Sequence, residues 1–326
     1  MANRGLRPSS LLLNLLLIFF SNSFILSSAM DCNSSDRAAL LKIKEQLGNP
    51  PELSKWLPST NCCAWDSGVI CSETGRVYLV ALFQLNVTAP IPYAYGDLPM
   101  LQTIQLDTIP GLYGPIPSSF AKLSHLELLD ITSTSITGPL PDFLVSTNLG
   151  ALTITDSKLS RPIPQSLSRL SNLRYIDLSG NMLTGSIPPG LLHGNFRFLI
   201  LSSNQLTGGI PNDYGNGDID TIDLSHNQLT GNPSFLFDAV KSMTKIDLSW
   251  NELEVAKSLK DIKLRHFNVS YNELCGEIPT GRYMVFHEAD SYVHNKCLCG
   301  TPLPPCFSLM SSALVYFPET VRCDIV

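Results

Sequence analysis

"IDLSGNMLTGSIP" occupies residues 176–188, and "LILSSNQLTGGIP" restates it at 199–211. Its first half returns at 222–231 as "IDLSHNQLTG". Aligned on the closing proline, the phrase falls at Pro92, Pro117, Pro141, Pro164, Pro188, Pro211 and Pro279, with degenerate slots at Ser234 and Ser258. The chain therefore writes nine units of about 24 residues each.

The template is LxxLxLxxNxLxGxIP, and at this period it is the signature of leucine-rich repeats. Within each unit "xxLxLxx" predicts a short strand. Its alternate residues, such as Ile176 with Leu178 and Leu199 with Leu201, point inward while their neighbours point out. Stacked units make a parallel sheet on the concave face of a right-handed α/β-type solenoid, with 3-10 and irregular segments on the convex side. The asparagines at 181, 204, 227, 251 and 272 fall at the turn after the strand. A side-chain amide there can satisfy backbone groups that the bend leaves unpaired. No single unit can bury its own leucines, so the array needs a cap at each end.

The rest of the chain fits this need. Its 326 residues carry 44% hydrophobic and only 15% charged residues, enough to build a core. The net charge of −6 argues against nucleic acid as a partner, because phosphate binding wants clustered Lys and Arg. Arg4 and Arg7 precede "LLLNLLLIFF" and the small residues at 27–29, which predicts a secretory signal over 1–29. The apolar run at 307–317 is far shorter than the roughly 20 residues of a spanning helix, so no membrane span is expected. The expected layout is an N-terminal cysteine cap at 30–76, repeats at 77–279, a C-terminal cysteine cap at 280–306 and a tail at 307–326.

All nine cysteines sit at the ends. Behind a signal segment such clusters read as disulfides rather than zinc ligands, since no His lies at finger-type spacing. The expected pairs are Cys32 with Cys62, Cys63 with Cys71, Cys275 with Cys297, and Cys299 with Cys306, although connectivity does not follow from sequence alone. Cys323 is left over. The N-terminal cap predicts an amphipathic helix from about Ser35 to Leu47, started by Ser35 or Asp36, with Leu40, Leu41, Ile43 and Leu47 facing the first repeat. Sequons at Asn33, Asn86 and Asn268 suit a secreted glycoprotein. No metal or cofactor is expected.

The LTGxIP form of the repeat resembles the plant-type extracellular leucine-rich repeats. "DRAALLKIKEQLGNP" with "LSKWLPSTNCCAW", and "NELCGEIPTG" with "HNKCLCGTPLPPC", are similar to the flanks of polygalacturonase-inhibiting proteins. The resemblance covers the chain from Asp31 to Cys306. It implies a monomeric protein of the plant cell wall that binds microbial endopolygalacturonases and blocks pectin degradation. Two features depart from the family. About ten repeats are usual there and nine are found here, because "ELEVAKSLKDIKL" lacks its Gly and Ile-Pro. The tail after Cys306 is the second.

The outward strand positions are free to vary, and together they tile the concave face. The central column reads Ala81, Gln105, Asp130, Thr153, Asp177, Ile200, Asp223, Asp247 and Asn268. Asp107, Glu127, Thr155, Asp156, Asp220, His226, Trp250 and Tyr271 lie beside it, with Arg174, Arg197, Lys245 and Arg265 as basic neighbours. An acidic strip suits the cationic cleft of an enzyme that grips a polyanion. The expected partner-binding set is Asp107, Asp130, Thr153, Thr155, Asp156, Asp177, Asp223, Asp247 and Trp250. Aromatic anchors are also expected at Phe83, Tyr175, Phe198 and Tyr271. A glycan on Asn268 would obstruct the C-terminal end of the face.

Three other readings compete. Asp223 and Asp247, on neighbouring strands, have the spacing of a glycosidase pair. An open solenoid face, however, has no pocket to exclude water, and no hydrolase motif accompanies them. A secreted module that partners a receptor ectodomain is the main alternative, and pectin itself is a possible ligand of either. An ice-binding array would need more outward Thr, more regularly spaced.

Overall fold

The computed structural model describes residues 31–66, 68–193, 196–213, 219–239, 243–254, 264–278 and 287–306. The expected signal segment, the degenerate slot at Ser258, Pro279 and the tail with Cys323 lie outside the described residues.

Alternation of apolar and variable residues produces the sheet. Parallel strands at Val77–Phe83, Thr103–Gly114, Leu128–Gly138, Ala151–Thr155, Tyr175–Asp177, Phe198–Ile200, Thr221–Asp223, Lys245–Asp247 and His266–Asn268 pair in sequence order. Val69–Cys71 covers the first edge antiparallel. Ile176, Leu178, Leu199, Leu201, Ile222 and Leu224 are completely buried behind the sheet. Each return path then builds a second parallel layer, from Lys158–Pro162 through Met182–Gly185, Gln205–Gly209 and Gln228–Gly231 to Glu252–Leu253. On the convex side Pro92, Pro117, Pro141 and Pro164 each start a 3-10 segment. Proline suits that place because its φ is preset and it brings no N–H to satisfy. No described helix is long and apolar enough to cross a membrane.

The asparagines do the work their position predicts. Asn204 Nδ2 donates to the carbonyls of Leu178, Leu201 and Ser202 at 2.9–3.2 Å, and its Oδ1 accepts from the Leu183 N–H at 3.0 Å. Asn181, Asn227, Asn251 and Asn272 repeat this pattern. Each of these amides thus stitches its own turn to the one before it. In the first four units Leu85, Ile109, Thr134 and Ser157 stand in this place, all buried, and the Thr134 and Ser157 hydroxyls bond each other at 2.8 Å. At the other end Asn295 extends the ladder into the cap. It donates to the carbonyls of Val269 and Tyr292 and accepts from the Leu274 N–H. The segment around Ala289–Ser291 is therefore coiled as one further turn of the solenoid. Cys297–Cys299 pairs in parallel with Cys275–Glu277 behind it.

Disulfides join Cys32 to Cys62, Cys63 to Cys71, Cys275 to Cys297 and Cys299 to Cys306, the expected partners in each case. The N-terminal helix runs Ser34–Gln46 and buries Ala39, Leu40 and Ile43, while Leu41 is only partly covered. Its start differs from the expectation. Asn33 is the cap, accepting from the N–H groups of Ser35 and Asp36. Asp36 is drawn inward instead, where it takes two hydrogen bonds from Arg76 at 2.8 and 2.9 Å and one from the Val77 N–H at 2.9 Å. A fully buried carboxylate is tolerated because all three donors converge on it.

Candidate protein-binding face

The strand register places Ala81, Gln105, Asp130, Thr153, Asp177, Ile200, Asp223, Asp247 and Asn268 in one continuous row. Beside it Phe83, Asp107, Thr132 and Thr155 form a shorter row on the first four strands. The aspartates have a local reason to sit here. Asp177, Asp223 and Asp247 each accept from the N–H and hydroxyl of the serine two residues on, at 2.6–3.2 Å. Asn268 does the same with Ser270, and Asp130 accepts from the Thr132 hydroxyl at 3.0 Å. One oxygen of each carboxylate thus braces the turn after its strand.

The second oxygen separates the face into two halves. In the C-terminal half Lys245 bonds Asp223 Oδ2 at 2.9 Å, and His266 meets Asp247 Oδ2 at 3.3 Å. Burial works to raise the Asp247 carboxyl, but hydrogen bonds from His266 and Ser249 outweigh it and hold the group below the ordinary range. In the N-terminal half no described ion pair involves Asp107, Asp130, Asp156 or Asp177. Burial pushes the Asp130 carboxyl up to about 6. Thr132 and Gln105 oppose the rise, and the charges of Asp107 and Asp177 add to it. Burial also raises Asp177, against the pull of Ser179 and with help from Asp223 and Asp156. The Tyr175 phenol beside them is held neutral by burial and by the same carboxylates.

The expected residues differ in access. Asp107, Asp130 and Thr153 are half-buried and Asp156 is exposed, whereas Asp177 and Thr155 are almost covered. Thr155 spends its hydroxyl on Thr132. Tyr175 and Phe198 pack against each other, with ring centres 5.5 Å apart, and Phe83 stands exposed. Asn86 is exposed, whereas Asn268 is half-buried in the sheet. Asp223 and Asp247 do not form an acid–base pair, because each already faces a basic side chain and Asp247 is held ionised.

Trp250 belongs to a larger feature. Its ring stacks on His226 at 5.2 Å and on Tyr271 at 3.8 Å, and Tyr271 stacks on His294 at 4.2 Å. All four hold a left-handed backbone, with φ between +55° and +60°. The signal for this ladder was the residue before each repeat asparagine, His226, Trp250, Tyr271 and His294, which is aromatic four times running.

Comparison with known proteins agrees with this architecture. The Leucine rich repeat N-terminal domain family matches residues 33–72, and the Leucine Rich Repeat family matches 172–193 and 195–216. Polygalacturonase inhibitor 1 of Oryza sativa subsp. japonica is 46% identical over 307 residues, spanning 85% of this chain and 92% of the relative. Polygalacturonase inhibitor 1 of Arabidopsis thaliana is 40% identical over 309 residues, spanning 84% and 92%. Among solved structures, a plant ice-binding protein superposes with a TM-score of 0.72 at 35% identity, covering 86% of this chain and 100% of that one.

Proposed function

The chain belongs to the polygalacturonase-inhibitor family of leucine-rich-repeat proteins, and on that premise we propose that it binds a secreted fungal endopolygalacturonase through its concave face. Binding blocks access to pectin in the plant cell wall. The protein acts as a secreted monomer, glycosylated at Asn33, Asn86 and Asn268, and performs no catalysis of its own.

The observation that carries this reading is the unpaired acid in the N-terminal half of the face. Asp107, Asp130, Asp156 and Asp177 lie close together without an ion-pair partner among the described residues, and burial holds Asp130 up near 6. Such a cluster opposes folding and is relieved by a basic partner. An enzyme cleft built for polygalacturonate supplies that charge. Thr153 sits between Asp130 and Asp177 and offers a hydroxyl at the centre of the patch. The Asp223 and Asp247 half contributes shape more than charge, and Trp250 gives an exposed anchor. The mixed Ala, Gln, Asp, Thr and Ile of the central row form no regular lattice of hydroxyls, so no ice-facing plane is proposed.

The test is pectin hydrolysis by a panel of fungal endopolygalacturonases with stoichiometric amounts of the secreted protein. Loss of activity is expected with at least one enzyme, and Asp130→Lys should weaken that inhibition at least tenfold. A folded sample that inhibits none of them would overturn the proposal in favour of a receptor-ectodomain partner.

A further inference from the structure

Where the strands of the concave sheet end, one residue per unit turns left-handed. Asp156, Gly180, Ser203 and His226 occupy this place in consecutive units, with φ of +48°, +67°, +57° and +55°. Neighbouring rungs are about 4.8 Å apart, the spacing of paired strands. On the C-terminal side the rungs are filled by stacked rings as far as His226, and there the ladder stops. The outer face of the His226 imidazole looks over Ser203, which is exposed and too short to cover a ring. Gly180, on the next rung, has no side chain at all.

The far wall of this gap is an acid. A Cβ at residue 180 would stand 2.6 Å from Asp156 Oδ1, so the carboxylate leans across the glycine toward the gap. Asp156 is exposed and makes no ion pair among the described residues. A slot about two rungs wide, roughly 10 Å, therefore runs from an aromatic face to a carboxylate over a floor without bulk.

We infer that this slot receives an arginine side chain of the protein partner, its guanidinium stacked on His226 above Ser203 and paired with Asp156. The inference rests on the reading that the chain binds a protein through this face, and it adds the chemistry of one contact. A guanidinium is flat, so it stacks at the spacing the ladder sets, and its positive charge then lies between the imidazole face and the Asp156 carboxylate. An ammonium uses the charge but not the ring. A neutral aromatic side chain uses the ring but leaves Asp156 without a partner.

Two measurements test the slot. In the first, N-acetyl-arginine amide is titrated into the full secreted protein at pH 7.5 while the His226 imidazole resonances are followed, assigned with His226→Gln. Saturable shifts are expected, with several-fold weaker responses to the lysine and tyrosine analogues. Asp156→Asn and Ser203→Trp should abolish them. Ser203→Trp puts a ring into the slot at the φ that Trp250 already adopts, so it blocks without demanding a new backbone. No saturable shift, a shift that survives Ser203→Trp, or a stronger response to tyrosine overturns the proposal. In the second, the affinity for an endopolygalacturonase inhibited by the wild type is measured. Ser203→Trp and Asp156→Asn should each weaken it at least tenfold without lowering the melting temperature. Unchanged affinity in both variants overturns the slot as a partner contact and leaves the inhibitor reading intact. If the wild type binds no such enzyme while the arginine titration succeeds, the inhibitor reading fails and the arginine slot stands.

Discussion

Asp130 is a residue the fold tolerates rather than needs. Its carboxyl moves from 3.8 in the unfolded chain to about 6 in the folded one. Between those values the folded protein holds more protons at this site, so the contribution of Asp130 to stability is greatest below about pH 4 and falls as pH rises through 6. The loss approaches about 3 kcal/mol at pH 7. Asp130→Asn keeps an acceptor for Thr132 and removes the charge. Urea denaturation should show the variant more stable by up to about 3 kcal/mol at pH 7, with the difference gone by about pH 3; equal stabilities at pH 7 would refute the burden assigned to Asp130. Asn204 is the opposite kind of residue. Asn204→Ala would strand the Leu183 N–H and the Leu178 and Leu201 carbonyls in the interior, which should cost about 3 kcal/mol in the same assay. Both residues were legible in the sequence, because a period of two assigns faces and a repeated Asn marks a turn. The partners were not. Lys245 on Asp223 and His266 on Asp247 join different units, and a template that treats units alike has no place for a pair across them.

The N-terminal helix shows what element-level reading captures and what it misses. Its amphipathic pattern placed it correctly against the first repeat, yet the cap fell on Asn33, since Asp36 was claimed by Arg76 and the Val77 N–H from some 40 residues away. That contact fastens the helix to the first strand of the sheet. Asp36→Ala removes three hydrogen bonds from a fully buried site, but the Arg76 side chain is 29% exposed and can still reach water. The expected cost is therefore about 3 kcal/mol, at the low end for breaking a buried pair. The loss should be local. Amide exchange should accelerate at Val69 and Val77 while the strand at Tyr175–Asp177 keeps its protection; equal acceleration in both would mean the cap and the array unfold as one unit. The second layer of strands and the extra turn around Asn295 were hidden for a related reason. Each is held by its neighbour's backbone, and no apolar alternation of its own marks it.

In the whole molecule, contacts run almost entirely between successive turns, so stability is a chain of nearest-neighbour terms closed by two caps. The cysteines sit where that chain has no further neighbour. Cys275–Cys297 ties the last repeat to the extra turn across 22 residues, and a loop of that size is worth about 3 kcal/mol. Replacing both cysteines by serine should do more than lower the midpoint. With one end unfastened, the C-terminal turns should melt ahead of the rest. The tryptophans allow this to be seen. Trp56 and Trp65 stack at 5.0 Å within the N-terminal cap, whereas Trp250 is 46% exposed in the C-terminal half. In the intact protein the fluorescence transitions of Trp250→Phe, which keeps the N-terminal pair, and of a Trp56→Phe, Trp65→Phe double variant, which keeps Trp250, should coincide. In the Cys275→Ser, Cys297→Ser background the Trp250 transition should move to lower denaturant by itself. A joint shift of both probes would show instead that the caps are coupled through the full length of the solenoid, and that its two halves, unlike in charge, are not independent in stability.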